Sequence, residues 1–133
     1  MAQLSDGSGH YPYQVPIDAY GNGGFRFADM SHRGSLICLP SGMHAWPVNG
    51  FAEVSVDSLS SVFAHSGELD VCLIGLGKDI RLLDKNLRNA FAEANIIVEA
   101  IGTGSAVRTY NILLAEKRAI AGAFIAVEHA GRS

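Results

Sequence analysis

Apolar positions along this chain fall into two regimes. Through about residue 50, short apolar runs are interrupted by Gly or Pro every few residues. From Asp57 onward, apolar runs of strand length alternate with stretches of helical period. In the first regime, residues 11–20 carry Pro12 and Pro16 and read as an extended edge segment. Gly21, Asn22, Gly23 and Gly24 make a turn cluster that demands positive φ, and Phe25-Arg26-Phe27 resumes a short strand. Residues 35–39 form a buried strand stopped by Pro40-Ser41-Gly42. Residues 43–48 return as a hairpin partner that Pro47 confines to an edge. The first third is therefore antiparallel β.

In the second regime, Asp57 or Ser58 caps a short helix with Leu59, Val62 and Phe63 on one face, ended by Gly67. Residues 70–74 are a continuous apolar strand. Asp84 caps a helix whose stripe is Leu87, Ala90, Phe91 and Ala94. Residues 96–101 read as another buried strand, residues 105–117 as a third helix and residues 119–127 as the last strand. Strands apolar on both faces that alternate with helices imply a parallel core with crossovers. Residues 1–10 are small and polar and read as a disordered tail, leaving residues 11–133 as a single α/β domain.

Composition narrows the function classes. With 48% hydrophobic and only 17% charged residues, the chain has a large interior and a weakly charged exterior, which points to surface covered by a protein partner or a second copy. A net charge of −3 with scattered Lys and Arg argues against nucleic acid. Cys38 and Cys72 sit inside apolar runs, as thiols do in a reducing compartment. The first residues lack the basic start and apolar core of an export signal, and no apolar run is long enough for a membrane span. The expected location is the cytoplasm.

The chemistry concentrates where two apolar runs collapse into glycines, at Gly75-Leu76-Gly77-Lys78 and at Gly102-Thr103-Gly104-Ser105. If these strands are neighbours, both loops line one crevice. Lys78 and Arg108 would bring positive charge, and the N–H groups opening the third helix would face an anion or a partner's carboxylate. The candidate ligand-binding residues are thus Gly75, Gly77, Lys78, Thr103, Gly104, Ser105 and Arg108. Neither loop is a P-loop or a dinucleotide fingerprint, and tight turns with Thr103 or Ser105 as a helix cap are the favoured explanation of both, with the anion crevice as the alternative. Tyr110 reads as a core aromatic, Asn111 as a tie to a neighbouring loop, and Trp46 as an edge residue suited to a partner contact. The histidines share no ligand spacing with each other or with a cysteine, so neither metal nor cofactor is expected. No nucleophile elbow or carboxylate pair marks a catalytic residue.

Four segments in fixed order carry a resemblance: the strand at residues 36–40 with its return through Trp46-Pro47, then Leu73-Ile74-Gly75-Leu76-Gly77, then Asp84-Lys85-Asn86-Leu87-Arg88, and residues 103–118. In the last, Thr103, Ala106, Thr109, Tyr110, Asn111 and Arg118 are the most specific. The chain resembles, over residues 13–128, a small α/β family of proteins of unknown function. That family includes the mitochondrial NADH:ubiquinone oxidoreductase (complex I) assembly factor 3 and an adipogenesis-associated protein. Leu76 stands where that family usually has Thr, Asn95 where Gly is common, and Gly102 where Asp is frequent. The resemblance implies a three-layer fold, with a central mixed, mostly parallel sheet between helices and an N-terminal antiparallel β element. It implies a non-catalytic binding or assembly role for a larger respiratory or membrane-associated complex. A small-molecule enzyme or anion sensor using the crevice and a homo-oligomer are the competing expectations.

Overall fold

The computed structural model describes residues 10–130. The expected tail lies outside them except for His10, which already pairs in the sheet. The strands are β1 (His10–Tyr11), β2 (Ala19–Gly21), β3 (Gly24–Phe27), β4 (Met30–Arg33), β5 (Ser35–Leu39), β6 (Gly42–Trp46), β7 (Val71–Gly75), β8 (Ile97–Ile101) and β9 (Ile120–Phe124). The helices are α1 (Ser60–Ala64), α2 (Lys85–Glu93) and α3 (Thr103–Ala115), with 3-10 turns at Phe51–Glu53 and Ser66–Glu68.

Turn chemistry builds the small three-stranded sheet, β2-β3-β4. Gly21 pairs with Gly24 across a two-residue loop, in which Asn22 and Gly23 take φ of 52° and 75°. Such left-handed two-residue loops match the twist of the flanking strands. The next hairpin repeats this with Ala28 and Asp29 at φ of 49° and 60°, and its second strand, β4, was not legible in the sequence. The pair Ala28-Asp29 does not announce a turn as Asn-Gly does.

The main sheet has the order β1-β6-β5-β9-β7-β8. The expected parallel pairing holds for its β9-β7-β8 half. The β1-β6-β5 half is antiparallel and joins through the antiparallel β5–β9 pair. β6 is not an edge at His44 and Met43, because β1 pairs there, and Pro47 comes only after the strand.

Alternation along the strands makes two cores. Ile37, Leu39, Cys72, Ile74, Ala121 and Ala123 face α1 and α2, meeting Leu59, Val62, Leu87 and Phe91. Leu36, Cys38, Leu73, Ile120 and Phe124 face α3 and the small sheet, meeting Phe25, Phe27, Ala106, Val107 and Tyr110. The result is three layers. Gly122 makes the second core possible, since a β-carbon there would run into the Phe124 ring and come within 3.2 Å of Tyr110 Cδ1. Tyr110 and Phe124 instead pack edge to face with centroids 5.4 Å apart.

Three expectations need correction. The strand after α2 is not buried on both faces: β8 is the sheet edge, with Ile97 and Glu99 exposed. The third helix begins two residues earlier than expected, at Thr103, with Gly102 at its N-cap. The short first helix starts at Ser60 with no side-chain cap, because the Ser58 hydroxyl bonds back to Ser55.

Candidate functional site

β7 and β8 are parallel neighbours, with Gly75 opposite Ile101. From the end of β7 the chain leaves toward α2 on one face, and from the end of β8 it leaves toward α3 on the other. A divergence of that kind opens the crevice where open α/β sheets take their ligands. Both glycine loops therefore share one rim.

In this chain the crevice is stitched by its own hydrogen bonds. Thr103 is buried, and its Oγ1 donates to the Ile125 carbonyl at 2.8 Å while accepting from the Gly77 N–H at 2.9 Å. The Thr103 N–H in turn donates to the Gly77 carbonyl at 3.1 Å. Gly75 permits this approach, because a β-carbon on it would sit 2.9 Å from Thr103 Cα. Gly77 supplies the reversal with φ of 82°. Thr103 is thus neither the helix cap nor a free hydroxyl, and Gly75 is buried beneath the rim.

The clamp leaves two hollows. One, of about 290 Å³, lies at the α3 side and gathers Gly77, Lys78, Thr103, Gly104, Ser105 and Arg108, with Tyr20, Val127 and His129 beside them. Here the N-terminus of α3 carries no capping side chain, and Arg108 Nη2 donates to Ser105 Oγ at 3.2 Å. The Tyr20 ring closes over Gly104 so tightly that a β-carbon there would collide with its hydroxyl. The other hollow, of about 520 Å³, lies on the opposite side, between Phe51, Leu76, Arg81 and Val127. The Arg81 guanidinium stands 5.7 Å from the Phe51 ring centroid. Above this rim the loop to α2 holds Ile80 at 66% and Leu82 at 77% exposure. Sequence reasoning missed this loop. Its signal was two aliphatic residues among Lys78, Asp79 and Arg81, outside any helical or strand period.

The remaining singled-out residues are interior. Trp46 is buried, and its Nε1 donates to the Ser58 carbonyl at 2.7 Å, so it ties the approach to α1 down and does not present a contact face. Tyr110 donates its hydroxyl to the Val15 carbonyl at 2.9 Å, and burial pushes its pKa up. Asn111 holds both backbone groups of Ile17, accepting from its N–H and donating to its C=O at 2.8 Å each. Burial pushes the Cys72 thiol up to about 12 and raises Cys38 as well, which keeps both from reacting as thiolates. Among the described residues, no three His, Cys, Asp or Glu side chains are grouped as metal ligands, and no helix is long and apolar enough to cross a membrane.

Residues 17–125 match the description of the family "Protein of unknown function (DUF498/DUF598)". An uncharacterised protein of Rhodobacter capsulatus is 37% identical over 111 residues, covering 84% of each chain. NADH dehydrogenase [ubiquinone] 1 alpha subcomplex assembly factor 3 of Drosophila melanogaster is 33% identical over 116 residues, covering 85% of this chain and 59% of that protein. The chain thus spans about three-fifths of the assembly factor's length. Among solved structures, one described as an outer membrane protein from Bartonella henselae superposes with a TM-score of 0.86 at 49% identity, over 90% of this chain and 100% of that one.

Proposed function

The chain belongs to the DUF498/DUF598 family of proteins of unknown function, and from that footing we propose that it is a non-catalytic protein-binding factor for the assembly or stability of an NADH dehydrogenase. The observation that carries this reading is the clamped crevice with bare aliphatic side chains on its rim. The Thr103 hydroxyl, which a ligand would use, is committed to Gly77 and Ile125, while Ile80 and Leu82 stand in solvent beside Phe51 and Arg81. Exposed aliphatics next to a cation–π pair suit a protein surface that buries them. The relatives named as assembly factors support the same direction.

In this reading the chain works in the cytoplasm, in keeping with its two buried free thiols, and takes protein rather than nucleic acid at a net charge of −3. Self-association is a secondary property, visible by light scattering at two concentrations. The test is deletion of the gene in the source organism, with native gels of the NADH dehydrogenase as readout. Wild-type chain restores the assembled enzyme; a folded Ile80→Ser/Leu82→Ser chain does not. Unchanged enzyme in the deletion strain would end the proposal.

A second reading draws on the convergence of Lys78, Ser105 and Arg108 at the uncapped start of α3. It makes the smaller hollow the seat of a phosphate- or carboxylate-bearing small molecule, for sensing or for chemistry. A ligand at a hundredfold excess over its Kd would stabilise the fold by about 2.7 kcal/mol. A flat melting profile across phosphorylated metabolites and carboxylic acids removes it.

A further inference from the structure

β8 ends the main sheet, and among the described residues it pairs only with β7. Ile97 N–H donates to the Asp70 carbonyl at 2.9 Å, and the Ile101 carbonyl accepts from Leu76 N–H at 2.8 Å. In a parallel ladder successive residues turn their backbone groups to opposite edges. The N–H and C=O groups of Val98 and Ala100 therefore point away from the sheet. No proline or glycine interrupts the five residues of β8. Natural edges are normally blunted by such devices, by charge, or by cover.

Side chains add a pattern to this open backbone. On the α3 face, Ile97, Glu99 and Ile101 follow one another at strand spacing. Ile97 is 66% exposed, Glu99 is exposed, and Ile101 is partly buried against the second core. On α3, which packs on the same face, Ile112 is 59% exposed. Among the described residues Glu99 makes no ion pair. The edge therefore offers two outward backbone donor–acceptor positions and an apolar–acidic–apolar row about 13 Å long.

We propose that β8 receives an extended segment of a partner protein as an added strand. The segment carries Lys or Arg opposite Glu99, flanked at alternate positions by aliphatic side chains. The proposal rests on the reading of the chain as a protein-binding factor and names the chemistry of one partner segment. Charge complementarity selects this occupant over a second copy. An antiparallel pair of β8 strands in full register would set Glu99 against Glu99 in a non-hydrogen-bonded pair, with Cα atoms about 4.5 Å apart. Like charges placed so are unfavourable, whereas a basic residue there is favourable. Strand addition of this kind draws affinity from main-chain bonds and specificity from alternate side chains.

The test uses the full chain with two labelled synthetic peptides, Ser-Val-Thr-Lys-Thr-Val-Ser and its twin with Glu in place of Lys. Binding is read by fluorescence anisotropy, and amide exchange is followed at Val98 and Ala100. The Lys peptide binds about tenfold more tightly than the twin and slows exchange at both amides. Glu99→Lys, an exposed and fold-neutral change, inverts the preference. Equal binding of the twins, unchanged exchange at millimolar Lys peptide, or a self-associated state that protects β8 without peptide would each overturn the proposal. If the peptides behave as stated while gene deletion leaves the NADH dehydrogenase intact, the edge stands and the assembly reading falls.

Discussion

Thr103→Val keeps the shape of a buried side chain and removes one hydroxyl. Its loss leaves the Gly77 N–H and the Ile125 carbonyl without their partner, 26 and 22 residues away in sequence. We expect a loss of about 1–3 kcal/mol in urea, with unchanged m value, and most of it restored by Thr103→Ser. A stable Thr103→Val chain would return the hydroxyl to the list of ligand groups. His32 is the other residue with a measurable consequence. It is buried, its Nε2 donates to the Ser35 carbonyl at 2.9 Å, and its Nδ1 has no partner among the described residues. Burial lowers its pKa from 6.5, outweighing the Ser35 bond. The folded chain then stays neutral there while the unfolded chain takes up a proton. The His32 contribution is complete above pH 6.5 and is lost as pH falls below that value toward the folded pKa. Urea midpoints taken between about pH 7.5 and 5.5 should fall with pH, and His32→Gln should flatten that slope.

Helix ends carry the next scale. α2 stops with Asn95 N–H on the Ala92 carbonyl and Ile96 N–H on the Phe91 carbonyl. α3 repeats the pattern with Lys117 on Leu114 and Arg118 on Leu113. These paired bonds need a left-handed residue, and Asn95 and Lys117 supply it at φ of 59° and 62°. Asn tolerates that conformation better than Lys, and Gly better than either. Lys117→Gly should therefore raise stability by about 0.5–1 kcal/mol, and Asn95→Gly by less, as read by chemical denaturation. The reverse order would mean that something other than backbone strain governs these ends. The glycine that the family resemblance suggests at position 95 now has a physical reason. At this scale much was legible in advance. Asp84 caps α2 by accepting from Asn86 N–H, and residues 71–75 are a strand buried along its length. β8 was not, because an apolar run does not say whether a neighbour will lie on both of its edges.

At the scale of the molecule, the two halves of the chain become one sheet when β9 enters between β5 and β7. With β9 on one side of β7, β8 takes the other side as the margin, and its parallel pairing with β7 sets both C-terminal ends at one rim. The family resemblance anticipated three layers and a mixed sheet, but the strand order is a long-range property. By itself the sequence determined that β5, β7 and α2 form and where the Gly21–Gly24 turn falls, because period, caps and positive φ act within a few residues, while β4 and the first residues of α1 and α3 escaped it. It also placed Lys78 on one glycine loop and Ser105 and Arg108 in the first turns of the third helix, able to meet it. Tertiary packing alone decided that Thr103 would be bound and not free, that Trp46 would be interior, and that Ile80, Leu82 and Glu99 would face solvent. Those outcomes depend on partners distant along the chain, and only the closing of the sheet brings such groups within hydrogen-bonding reach.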